Sequence, residues 1–218
     1  MQRVIYLGAE ALVAEGEFLG RKAVFKLRLR KPYRVLELDR EIVSRRTAAE
    51  ARIMAMLRER GVNVPRILFV DPLYGLIVME KVEGVVLRDA LGVLSGEKAC
   101  RAMAEFGREV GAMHKLGVAH GDITTSNAVL SNEDSIYILD LGLAKHVEDI
   151  EDLAVDLHLL IRVLESSHYA VKEDLLKCFM RSYRSVVGVD EARKIFERVA
   201  EIRMRGRYIE ERKVRKVN

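Results

Sequence analysis

Three side chains of the kinds that phosphoryl transfer needs stand close together in the middle of the chain: Asp122, Asn127 and Asp140. Moving a phosphoryl group from a metal-bound nucleotide takes a carboxylate to orient the attacking oxygen. It also takes an amide and a second carboxylate to hold the magnesium that offsets the phosphate charge. Asp122 suits the first role, and Asn127 and Asp140 the metal. Asp122 and Asn127 lie five residues apart in a polar loop that also holds His120. A hairpin built from Asn127–Leu130 and Ile136–Leu139 would bring Asp140 back beside them. An ordinary hairpin with Asp and Asn in its turns is the bland alternative; three functional residue types at these spacings favour a site.

The elements that must position these groups fall into two lobes. Over residues 1–80, strands are expected at Val4–Leu7, Leu12–Ala14, Ala23–Arg30, Arg66–Val70 and Leu76–Glu80. The first turn, Gly8-Ala9-Glu10-Ala11, can lay backbone N–H groups over phosphates or close a plain hairpin, and the two readings stand level. Along Ala23–Arg30, Ala23, Phe25, Leu27 and Leu29 alternate with Lys26, Arg28 and Arg30, as in a half-buried strand. A helix starts at Asp39 or Thr47 and runs to Arg60. Thr47 and Glu50 have the form of a capping box, yet Glu50 shares a face with Ile53, Met54 and Leu57. A carboxylate on an apolar face wants a cation, so pairing with Lys26 is preferred. Residues 81–84 are a short hinge where the Glu80 carbonyl and the Val82 N–H can meet an adenine edge; Val82 reads equally well as an apolar linker residue.

Residues 85–202 form a second, mainly helical lobe. Ser95 is a candidate cap for a helix whose Ala99, Met103, Phe106, Val110 and Met113 recur at helical spacing until Gly117. That helix delivers the chain into the polar loop. There His120 is assigned a supporting role over that of a general base, and Thr124, Thr125 and Ser126 are read as holding the loop in preference to accepting phosphate. Further helices are expected at Glu151–Ser166, Val171–Ser185 and Asp190–Met204. Asp156 is read as an anchor that accepts loop backbone N–H groups. Cys100 and Cys178 have no metal-ligand spacing and are expected to be buried small hydrophobes in a reducing cytoplasm.

Half of the 218 residues are hydrophobic, with no apolar run long enough for a membrane span. No signal peptide is expected, since Glu10, Glu15 and Glu17 interrupt the candidate apolar stretch. The 32% charged fraction and the single glutamine, Gln2, lean toward a thermophilic source. Residues 201–218 hold seven Lys or Arg against three Glu, which accounts for the whole net charge of +4. The tail 203–218 is either solvated or a contact for RNA phosphates.

The loop and the Asp140-Leu141-Gly142 turn follow the protein-kinase catalytic-loop and metal-binding signatures, with Gly121 for the usual Arg and Leu141 for Phe. Together with Gly-Ala-Glu-Ala at 8–11 and Lys-x-Arg-x-x-Lys-x-Tyr-Arg at 26–34, they resemble the small atypical kinase/ATPase subunit of the KEOPS (EKC) complex, the p53-related protein kinase family. The resemblance runs over essentially the whole chain, and its length suggests an archaeal member. It implies an α+β, bilobal protein-kinase-like fold, with a small antiparallel-sheet N-lobe, one main helix and a reduced, mainly helical C-lobe. It implies ATP and Mg2+ as cofactors. Lys26 and Glu50 would position phosphates, Asp122 would be the catalytic acid-base, and Asn127 and Asp140 would hold metal. Gly8, Ala9, Glu10, Val13, Glu80 and Val82 would line the nucleotide. The partners implied are the threonylcarbamoyl-transferase subunit of KEOPS, other KEOPS subunits and, through tail 203–218, tRNA. The implied role is in forming N6-threonylcarbamoyladenosine in tRNAs that read codons beginning with A.

Only fifteen residues separate Asp140 from Asp156, with no Ala-Pro-Glu segment, so little chain is left to dock a peptide. This fits ATP hydrolysis or autophosphorylation better than broad protein phosphorylation. The alternatives are a small-molecule phosphotransferase of the aminoglycoside/choline kinase type, which shares His-Gly-Asp and the Asn five residues on, and a nucleotide-binding scaffold without turnover.

Overall fold

The structure, a computed structural model, describes residues 3–8 and 10–217, with side chains in the last helix as far as Arg205. The chain divides into two compact units. One is Met1–Glu83 with Tyr137–Leu143, and the other is Gly84–Ile136 with Ala144–Asn218. Asp140, expected in the second lobe, thus belongs to the first unit.

In the first unit, β1 (Arg3–Leu7), β2 (Ala11–Phe18) and β3 (Arg21–Arg28) run as antiparallel neighbours. Leu19 and Gly20, both at positive φ, make the two-residue turn from β2 into β3. Helix α1 (Leu36–Glu59) follows, then β4 (Ile67–Asp71) and β5 (Leu76–Glu80). The five strands form an antiparallel sheet in the order β1-β2-β3-β5-β4. Helix α1 buries Glu50, Ala51, Ile53, Met54 and Leu57, the face its spacing predicts. It begins at Leu36, earlier than either expected start, and Thr47 is interior: its hydroxyl donates to the Val43 carbonyl at 2.8 Å. The capping box of Thr47 and Glu50 is therefore absent, because the helix already has three turns before Thr47 and no free N–H is left there to cap.

In the second unit, β6 (Gly84–Val86) leads into α2 (Leu87–Val93) and α3 (Gly96–Lys115). Ser95 occupies the N-cap position of α3, but its side chain makes no capping hydrogen bond. Gly117, at φ +72°, turns the chain out of α3 into β7 (Val118–Ala119). After the polar loop come β8 (Ala128–Ser131), which pairs with β6, and β9 (Ile136–Ile138), where the chain passes into the first unit. It returns at β10 (Lys145–His146), antiparallel to β7, and continues through α4 (Ile150–Ser167), α5 (Lys172–Val187) and α6 (Val189–Val217).

Helices α3 and α5 lie very close together. A Cβ on Gly107 would stand 2.3 Å from the Phe179 carbonyl oxygen, so only glycine permits the approach. Phe106, Phe179 and Tyr183 fill the seam, each almost fully buried, and each such ring contributes about 1.5–3 kcal/mol. The same approach brings the Cα atoms of Cys100 and Cys178 to 5.3 Å, and the two residues form a disulfide. The expectation of two reduced, buried thiols is thus overturned, and cysteine usage gives no support to a reducing compartment. Among the described residues no helix is long and apolar enough to cross a membrane.

Candidate active site

The first unit assembles four charged groups. Lys26 and Arg28, two residues apart on β3, share the face that α1 covers, and both are buried despite their charge. Lys26 Nζ lies 2.6 Å from Glu50 Oε1 and 2.6 Å from Asp140 Oδ1, while Arg28 donates to the other Glu50 oxygen. Glu50 is 3% exposed, whereas the Asp140 side chain is 58% exposed. The buried carboxylate therefore carries two cations, and the accessible one faces solvent. The alternation in β3 placed Lys26 on the strand's outer face; burial there is possible because Glu50 supplies the compensating charge.

Asp140 sits in the left-handed region, at φ +54°. Asp tolerates it better than most residues, at a cost of order 1 kcal/mol. Its Oδ1 also accepts from the Gly142 N–H at 3.3 Å, and Leu141 plugs into the interior at 1% exposure. In the turn before β2, the Gly8 N–H donates to the Ala11 carbonyl at 3.0 Å. A Cβ on Gly8 would meet the Tyr6 ring at 2.5 Å. The Glu10 carboxylate is held by Arg46 of α1 at 2.7 Å, and that hydrogen bond lowers its pKa. Ala9 lies outside the described residues. Val13 is half-buried, paired with Lys26 across β2 and β3. The Glu80 carboxylate is occupied by the Arg66 N–H at 2.9 Å, and Val82 lies half-buried between β5 and β6.

The second unit carries the polar loop. Asp156 of α4, fully buried, accepts the backbone N–H groups of His120 and Gly121 and a hydrogen bond from His114 Nε2 at 3.2 Å. Tyr183 on α5 donates its hydroxyl to His114 Nδ1 at 2.9 Å. Burial raises the Tyr183 pKa, so the phenol stays a donor. The anchoring role expected of Asp156 holds. His120 is also structural, its Nδ1 accepting the Asp122 N–H at 3.2 Å. Gly121, at φ +82°, replaces the usual arginine where the backbone turns left-handed.

Asn127 Nδ2 donates to the Asp122 carbonyl at 2.9 Å and to Asp122 Oδ2 at 3.0 Å. The amide nitrogen is thereby committed to Asp122, and Oδ1 is left as the atom of Asn127 that can ligate a cation. Thr125 is buried, whereas Ser126 is exposed and its Oγ accepts from Arg88 Nη1 at 3.4 Å. Asn127 in the second unit and Asp140 in the first each offer a hard oxygen donor of the kind magnesium takes. Among the described residues no group of three or more His, Cys, Asp or Glu forms a cage.

The family described as the protein kinase domain matches residues 30–178. The "KEOPS complex subunit Bud32" of Pyrococcus abyssi is 40% identical over 214 residues, covering 95% of this chain and 97% of that one. The chain belongs to the protein kinase family, among the KEOPS Bud32 subunits. A "Probable serine/threonine-protein kinase BUD32 homolog" of Archaeoglobus fulgidus is 38% identical over 94% of this kinase and 96% of its own length. A "Probable bifunctional tRNA threonylcarbamoyladenosine biosynthesis protein" of Methanothermobacter thermautotrophicus is 36% identical over 94% of this kinase, which spans 36% of that longer protein. The α+β kinase fold and the phosphotransferase class are thus established for this kinase; the class uses ATP and usually Mg2+.

Sequence reasoning missed Arg28 as the second partner of Glu50, although its spacing of two from Lys26 was a usable signal. It also missed the hydrogen bonds of His114 and Tyr183, for which no local pattern exists.

Proposed function

We propose that this chain is an ATP-hydrolysing atypical Ser/Thr kinase that works within a KEOPS complex, in the cytoplasm, to support formation of N6-threonylcarbamoyladenosine in tRNA. The observation that carries the reading is the Lys26–Glu50–Asp140 cluster, with a buried, fully compensated phosphate-positioning pair beside an accessible carboxylate. In this reading Lys26 addresses the nucleotide phosphates and Glu50 holds Lys26. Asp122, aligned by Asn127, orients the attacking oxygen and takes its proton. Asn127 and Asp140 would hold magnesium, which offsets the charge on the phosphates. Gly8, Ala9 and Glu10 would cover the phosphates, and Val13, Glu80 and Val82 would border the base.

The short path from Asp140 to α4 supports hydrolysis or autophosphorylation over broad protein phosphorylation. Lys145–His146 pairs with β7, the Val147 N–H donates to the Gly117 carbonyl at 2.9 Å, and Asp149 already caps α4. Little chain is left there to hold a peptide. A relative about three times as long, named for threonylcarbamoyladenosine biosynthesis, supports partnership with a threonylcarbamoyl-transferase subunit. The basic tail 203–218 is the proposed tRNA contact.

The test is Mg2+-dependent phosphate release from ATP by the purified chain, alone and with the threonylcarbamoyl-transferase subunit and tRNA. Asp140→Asn is the control variant, because Asn keeps the left-handed backbone and removes the charge. Turnover stimulated by the partner or tRNA and reduced at least about 100-fold in Asp140→Asn is expected. Turnover equal in the variant would sink the assignment, and indifference to partner and tRNA would point to a stand-alone kinase.

A further inference from the structure

The basic motif that runs from β3 toward α1 has no task in the proposed function beyond Lys26, yet its cations converge on α1. Lys26 and Arg28 take the two oxygens of Glu50, in the third quarter of the helix. Arg34 Nη1 and the Lys31 N–H both approach Asp39 Oδ1, in the helix's first turn, at 3.4 Å. Asp39 is 2% exposed. The two acids lie eleven residues apart, about 16 Å along the helix axis. A further cation on α1 itself, Arg46, reaches back to Glu10.

We propose that this motif is a clasp that holds α1 permanently engaged, with Arg28 as the positioning residue that keeps Glu50 paired when Lys26 turns to the nucleotide. The proposal rests on the reading that Lys26 addresses phosphate. A Glu50 bonded to Lys26 alone would be left as an uncompensated buried carboxylate whenever Lys26 shifted its bonds, and the helix would tend to swing away. Arg28 removes that penalty, since its guanidinium sits on the second oxygen and does not compete for the first. Kinases that are switched by moving this helix depend on a lysine–glutamate pair that can break. With a second cation on the glutamate and a separate tether on Asp39, the helix has no such release, and the site needs no activating modification.

The experiment measures ATP turnover and hydrogen–deuterium exchange along α1 in the full chain, for wild type, Arg28→Met and Arg28→Lys. In Arg28→Met, kcat falls about 10- to 100-fold, KM for ATP moves by less than about threefold, and exchange rises over residues 47–57. Arg28→Lys, which restores a cation, recovers most of the turnover; a purely structural role would not give this split and rescue. Wild-type kcat and exchange in Arg28→Met overturn the proposal, as does lost kcat with α1 exchange unchanged. If Arg28→Met does not fold, Arg34→Ala decides. Its side chain is 26% exposed, so its removal opens no apolar cavity but takes the cation from the buried Asp39, and exchange should rise over residues 36–43; no rise overturns the clasp. Absent wild-type turnover would count against the functional reading alone, because the exchange measurements judge the clasp separately.

Discussion

Gly142 lies where any side chain would disturb the charged cluster. A Cβ there would stand 3.1 Å from Asp140 Oδ1, 3.2 Å from Lys26 Nζ and 3.3 Å from Arg28 Nη2. These are the ends of side chains, which can give by a few tenths of an ångström, so the fold should survive while the geometry does not. Gly142→Ala is expected to cut ATP turnover about tenfold or more with a thermal midpoint within a few degrees of wild type. Unchanged turnover would show that the cluster tolerates displacement. The glycine was legible in the sequence as part of the Asp-Leu-Gly signature, but the cause of its small size was not. That cause is the convergence of a distant strand lysine and strand arginine on the turn's own aspartate, which no local pattern encodes.

Helices α3, α4 and α5 hold the polar loop through one buried hydrogen-bonded chain, Tyr183 to His114 to Asp156 to the His120 and Gly121 N–H groups. Removing the acceptor orphans two backbone donors and an imidazole, whereas removing the phenol orphans one nitrogen. Asp156→Ala is therefore expected to cost about 2–5 kcal/mol and Tyr183→Phe about 1 kcal/mol, read from denaturant midpoints at unchanged m. The reverse order would break the proposed hierarchy. Asp156 could be anticipated because a lone acid in an apolar helix demands partners. The start of α1 could not, since Val35 offers no capping side chain and the local signal at Thr47–Glu50 pointed elsewhere. Glu50 was recoverable only by weighing burial against capping. Apolar periodicity made most helices and strands readable, whereas contacts between distant elements, including the disulfide, left no trace in spacing.

For the molecule as a whole, two histidines contribute to the response to mild acid. Burial lowers the pKa of both His158 and His168, aided at His158 by the nearby Arg203 and Arg162 and at His168 by Arg88. In the unfolded chain such groups titrate near 6.5. Stability is therefore complete above that value and falls as pH drops through the lower folded values, because only the unfolded state takes up the protons. Glu10, Asp152 and Glu165 are also shifted down, but they act only near and below the usual carboxylate range. The thermal midpoint should decline between pH 7 and pH 5, and His158→Gln with His168→Gln should flatten that decline; an equal slope in the double variant would refute it. The Cys100–Cys178 bond adds a constraint of another kind. It closes a covalent ring between two residues 78 positions apart that contains the whole polar loop and the stretch that leaves for the first unit and comes back. A force applied to the two ends of the oxidised chain cannot pay out that ring. About 270 Å of contour stays hidden, and the stretch bearing Asp122, Asn127 and Asp140 is shielded from the load.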